Sequence, residues 1–186
     1  MRREGDAGFT LLDTLMATVL MTFVTAMFTS SVLFMYRAAN GVEAKSAAQT
    51  QLALTLQKLD RELRYARGIS QVYGSGGVYV DFLTERPGLR QCVQLRLQGG
   101  VLAQRTWTYQ QSPLNLTAWT PLATEITTTA PFAYIAPTTT LGYQQLTVTL
   151  STGTGIGREA NTVTFTALNS DRSSSNDYCS AARSIT

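Results

Sequence analysis

The sequence predicts an α+β fold, a long N-terminal helix (membrane half plus amphipathic half) packed on a C-terminal antiparallel β-sheet domain. Three observations predict it. Residues 14–36 carry no charge and contain neither Gly nor Pro. Leu52, Leu56, Leu59, Leu63 and Ala66 then recur at four-three-four-three spacing, the signature of one apolar helical face. From Ile69 onward the chain is rich in Thr, Val, Tyr and Gly, a texture of short strands and turns.

The uncharged run spans roughly 34 Å as a helix, enough to cross a bilayer. Thr14, Thr18, Thr22, Thr25 and Thr29 follow spacings of four and three, so they share a narrow face, and Asp13 points away from it. Small hydroxyl residues often mark packing surfaces between helices in lipid. The alternative is that each hydroxyl bonds back to its own helix, three or four residues earlier. Beyond Arg37, Lys58, Asp60, Arg61 and Arg64 lie largely off the leucine face, and Asp60 with Arg64 forms a favourable i,i+4 pair. Gly41 is a possible bend, and Gly68 stands where a C-cap belongs. The pattern reads as one helix of nearly sixty residues ending at Arg67.

Gly74–Ser75–Gly76–Gly77 reads as a turn before a strand at 78–83, and Glu85–Arg86–Pro87–Gly88 as a second turn. Gln91–Leu97 alternates in and out, and Gly99–Gly100 joins it to Val101–Trp107 as a hairpin. Two later strands, Gln145–Leu150 and Thr162–Leu168, flank a turn containing Gly153, Gly155 and Gly157. Residues 111–140, with four prolines, read as loops with short strands. A single antiparallel sheet with one face on the helix accommodates these signals, and the polar tail from Asn169 is expected to be mobile unless Cys179 ties it down.

Composition argues against catalysis. There is no histidine, which removes Ser–His–Asp and Cys–His chemistry and the commonest metal ligand. Two cysteines cannot build a four-thiolate zinc site. Asp81, Glu85, Glu125 and Glu159 are dispersed, and Asn169, Asp171, Asn176 and Asp177 lack the spacing of a calcium loop. No enzyme activity, metal or cofactor is expected. The net charge is +3, but from Gly68 onward seven Arg meet six acids, so nucleic acid is not an expected partner. A folded patch of Arg86, Arg90, Arg96 and Arg105 is the feature that would reverse this. Tyr73, Tyr79, Trp107, Tyr109 and Trp119 read as sheet core rather than as a sugar-binding platform.

The most specific stretch is Gly8–Phe9–Thr10–Leu11–Leu12–Asp13 at the head of the apolar run. It resembles the processing site and assembly helix of type IV pilins and of type II secretion pseudopilins, over residues 1–36. An ordinary secretory signal or single-pass anchor is the competing reading. Glu4 and Asp6 leave the leader without net side-chain charge, and Asp13 would interrupt a signal peptide's apolar core.

The resemblance implies cleavage by a prepilin peptidase between Gly8 and Phe9 and N-methylation of Phe9. It also implies an assembly role for Asp13, where the family normally has Glu, against the amino terminus of a neighbouring subunit. The implied organisation is a leader (1–8), a transmembrane/assembly helix (9–36), its amphipathic continuation (37–67) and a β-rich globular domain with polar tail (68–186). The long β-rich part resembles the larger minor pilins. Partners would be other pilin or pseudopilin subunits, the peptidase and the membrane assembly machinery. The protein would be single-pass in the membrane before assembly and in a cell-surface filament afterwards. An adhesin or DNA-uptake subunit on the same anchor is the alternative function. With export so implied, a Cys92–Cys179 disulfide is expected, two buried free thiols being the alternative.

Overall fold

The computed structural model describes residues 11–152, 159–170 and 178–185. The chain divides into two compact units, residues 1–45 and 46–186. One helix, α1 (Leu11–Arg64), contributes to both and is followed by eight strands, giving an α+β fold.

Within the first unit, α1 runs unbroken through Gly41, and residues 11–43 are all exposed. Among the described residues of this unit, nothing covers Leu15, Phe23, Phe28 or Phe34. The helix is long and apolar enough to cross a membrane.

The second unit holds a five-stranded antiparallel sheet in the order β1-β2-β3-β4-β5 and a three-stranded one in the order β6-β7-β8. The first comprises β1 (Ala66–Ile69), β2 (Val78–Arg86), β3 (Leu89–Gln98), β4 (Val101–Thr108) and β5 (Thr120–Ala123). The second comprises β6 (Phe132–Ile135), β7 (Gln144–Thr152) and β8 (Glu159–Ala167). The single expected sheet is therefore two. The 111–140 stretch supplies β5 to one and β6 to the other.

The predicted helical face is the core. Leu52, Leu59 and Leu63 are fully buried with Val80, Phe82, Val93, Leu95 and Leu102 of the first sheet and Leu146, Val148, Leu150 and Phe165 of the second. Leu56 packs at its margin. Burying one such leucine stabilises by about 1.5–3 kcal/mol. Thr55, buried on the same face, donates its hydroxyl to the Leu122 carbonyl at 2.8 Å, so the polar group carries no desolvation penalty. The expected Asp60–Arg64 pair forms at 2.7 Å.

The end of the helix differs from expectation. α1 stops at Arg64, and Ala66, although buried, opens β1. The terminal carbonyls find partners in the sheets, Leu168 N–H donating to Arg64 O and Glu85 N–H to Tyr65 O. These bonds satisfy groups that a helix end leaves without intrahelical donors. Gly68 is not a C-cap; it is buried in β1 beside a bulge, where pairing shifts from Ala66↔Thr84 to Gly68↔Leu83.

The turns follow their chemistry. β2 and β3 extend to within two residues of each other, leaving Pro87–Gly88 as the loop, with Gly88 at φ 76°. The β3–β4 connection is Gly99–Gly100 with φ 57° and 75°, as a primed turn requires at both central residues. β7 and β8 occur where expected, except that Leu168 lies just past the strand. The turn expected around Gly153, Gly155 and Gly157 lies outside the described residues.

Candidate functional site

Two regions bear on function, one in each unit. In the first, Asp13 stands exposed in the opening turn of the described helix, where a carboxylate is favoured by the helix dipole. Gly8 and Phe9, the expected cleavage and methylation positions, lie outside the described residues. The threonine stripe resolves clearly. Thr14, Thr18 and Thr22 donate to the carbonyls of Leu11, Leu15 and Val19 at 2.9, 2.9 and 2.7 Å. Thr25 and Thr29 donate to Met21 and Thr25 at 2.7 and 2.8 Å. Every hydroxyl is thus satisfied within its own helix. Thr18, Thr22, Thr25 and Thr29, with Met21, Ala26 and Ser30, line a shallow groove along that face.

In the second unit, the face of the first sheet turned away from α1 carries three cross-strand rungs, Leu83–Cys92–Trp107, Asp81–Gln94–Arg105 and Tyr79–Arg96–Ala103. A C-terminal segment closes over them. Cys92 and Cys179 form a disulfide, and Leu83, Cys92, Trp107, Cys179 and Ala182 make a second apolar cluster. The tail is therefore tied down over the described residues 178–185.

The middle rung is a polar chain. Arg105 donates to Gln94, Gln94 to the Tyr73 hydroxyl, and Tyr73 to Asp81 Oδ1 at 2.6 Å. Arg183 closes it from the tail, donating Nε–H to Asp81 Oδ2 at 2.8 Å. Arg105 also donates to the carbonyls of Ala182 and Ile185, at 3.2 Å each. Burial pushes the Asp81 carboxyl up, against the Tyr73 and Arg183 hydrogen bonds that pull it down. The Tyr73 phenol is raised mainly by burial and then by Asp81, while burial lowers Arg105. Both carboxylate oxygens of Asp81 are engaged, so the rung serves as a clasp for the C-terminal segment. Sequence reading missed it. The available signal was that Asp81, Gln94 and Arg105 sit at the same strand parity as Leu83, Cys92 and Trp107, which marks a second covered face.

The aromatic residues are absorbed by packing. Tyr73 stacks on Tyr79 at 5.6 Å with Arg183 over its ring at 4.7 Å. Arg96 and Arg105 lie over Trp119 at 4.1 and 4.5 Å, and Trp107 is buried in the second cluster. The three described members of the arginine set, Arg90, Arg96 and Arg105, do not form an exposed patch. Arg105 is buried, Arg96 lies on Trp119, and Arg90 pairs with Glu85 at 2.7 Å at the far end of the hairpin; the Arg86 side chain is outside the description. Glu85 also takes Arg67 at 2.9 Å, and these partners, Arg67 first, hold its carboxyl below the usual range.

Among the described residues no group of three or more His, Cys, Asp or Glu is placed to hold a metal ion. Asp171, Asn176 and Asp177 of the oxygen-rich tail lie outside the description. No family model, curated protein or solved structure matches this chain.

Proposed function

We propose that this chain is a minor pilin or pseudopilin. It is a structural subunit rather than an enzyme, incorporated through its N-terminal helix into a type IV pilus-like filament after cleavage between Gly8 and Phe9. The observation that carries the reading is the apolar half of α1. A helical run of bilayer length has none of its large side chains covered within its own unit. Among the described residues, every buried core residue lies at Leu52 or beyond, within the second unit. Such a helix requires lipid or other helices as its solvent.

Asp13 fits the same logic. A carboxylate carried to mid-bilayer costs about 2.5–3.5 kcal/mol, and a neighbouring subunit's new amino terminus offsets that cost. The threonine stripe supports close helix approach by its small cross-section. With each hydroxyl bonded to its own backbone, the face needs no hydrogen-bond partner from outside. The filament surface would present the sheet unit with its C-terminal segment clasped.

Co-expression with a prepilin peptidase followed by N-terminal mapping tests the proposal. The expected product begins at methylated Phe9. A mature terminus at any other position removes the assignment.

A further inference from the structure

The two sheets have four edges, β1, β5, β6 and β8. Exposed edges invite pairing with another chain, and folds blunt them by shortness, proline, bulges or charge. Three edges here are blunted. β1 is four residues long, carries the bulge, and has its Ile69 N–H bonded to the Gln144 side chain at 2.7 Å. β5 is four residues long with Pro121 inside it, and β6 is four residues long between Pro131 and Pro137.

β8 differs in length, regularity and composition, its one charged residue being Glu159 at the very start. It is nine residues long, pairs with β7 in unbroken register, and contains no proline. Its residues from Ala160 to Ala167 bear no charge, and Ala160, Asn161, Thr162 and Thr164 are exposed. Among the described residues, only the C-terminal end of this strand takes hydrogen bonds from outside the sheet.

We infer that the outer edge of β8 is an interface for a second copy of this chain, pairing β8 with β8 antiparallel about a two-fold axis. The strand is self-complementary. Thr162, Thr164 and Thr166 share one face, and Val163 and Phe165 the other. A two-fold axis through Val163 sets Thr162 opposite Thr164 of the second copy, and one through Thr164 sets Thr162 opposite Thr166 of the second copy. Either register keeps threonine on threonine, whereas a one-residue slip would turn the second copy's apolar face to water.

The fold already uses this rung chemistry. Thr147 and Thr164 hydroxyls meet at 2.9 Å, Thr149 and Thr162 at 3.1 Å, and Gln145 donates to Thr166 at 3.0 Å. A hydroxyl has one donor and two acceptor sites, so each retains capacity for a further rung across the axis. The absence of charge from Ala160 to Ala167 removes, over that stretch, the repulsion that ordinarily protects an edge. The product is a continuous six-stranded sheet with a threonine ladder on its outer face. Between assembled filaments, the same contact would join them side by side.

The test uses the full chain in detergent micelles, with light scattering resolving the protein mass of the complex. Wild type is expected at twice the 20.3 kDa chain mass. Thr164→Lys, which brings two lysines close across the axis, is expected at one chain mass with near-UV circular dichroism unchanged. Thr164→Cys is expected to give a covalent dimer with a short bis-maleimide, since both native cysteines are engaged in the disulfide. Thr147→Cys, on the inner strand, lies about 14 Å from its counterpart across three strand spacings and should not react. A monomeric wild type, a Thr164→Lys chain that remains dimeric, or equal yields from the two cysteine variants would each overturn the inference.

Discussion

Replacing Cys92 and Cys179 together by alanine tests how the C-terminal segment is held. The two residues are 87 apart in sequence. Closing a loop of that length in the unfolded chain removes entropy worth about 4–5 kcal/mol at 25 °C in the chain-entropy model. Alanine leaves no buried polar group behind, so the change isolates the cross-link and the small loss of sulfur packing against Leu83 and Trp107. The segment would still be held by Arg183 on Asp81 and by Arg105 on the carbonyls of Ala182 and Ile185. The native fold should therefore persist while its stability falls. The assay is urea unfolding of residues 46–186, the unit with its own core, followed by tryptophan fluorescence. A loss of about 3–5 kcal/mol is expected in the variant relative to the oxidised wild type, with reduced wild type falling close to the variant. A difference below about 1 kcal/mol would refute the reasoning, because it would mean that the unfolded chain gains little freedom from the cut.

The remaining predictions concern the core, the ion pairs and assembly. Leu59→Ala removes a fully buried side chain where both sheets meet the helix. It should cost about 2–5 kcal/mol in the same unfolding assay, and a change under 1 kcal/mol would deny that α1 is integral to this core. The Glu85 carboxyl is depressed in the folded state by Arg67 and Arg90. Its contribution is therefore fully present above the ordinary carboxylate value of about 4.3 and is lost as pH falls through the depressed folded value. The stability gap between wild type and Glu85→Gln should accordingly be constant from neutral pH to about 5 and shrink with further acidification; a gap independent of pH would exclude the pairing. Asp13→Ala should abolish incorporation into filaments, read by immunoblot of sheared surface fractions, and incorporation at wild-type level would remove the electrostatic basis of the proposed function. Thr18, Thr22 and Thr25 changed together to leucine should weaken assembly through bulk alone. Undiminished assembly would assign the stripe only to the back-bonding that the helix already shows.

What the sequence determined by itself were the properties set by local repetition. An uncharged run without Gly or Pro specifies a helix, and its length specifies what it can cross. The leucine spacing named Leu52, Leu56, Leu59 and Leu63 as the packed face before any partner was known. Two consecutive glycines specified the β3–β4 hairpin because only residues tolerant of positive φ close that turn easily.

Tertiary structure decided whatever depended on which strands meet. Residues 65–67 carry helix-compatible side chains, yet N–H groups of Glu85 and Leu168 are offered where the helix ends, and the chain turns into a strand there. The division into two sheets follows from pairings that no local period encodes. The Asp81–Gln94–Arg105 rung was equally hidden. A buried carboxylate is tolerable only with partners close by, and its partners come from residue 73 on one side and residue 183 on the other. Such a site exists only once distant segments of the chain are brought together.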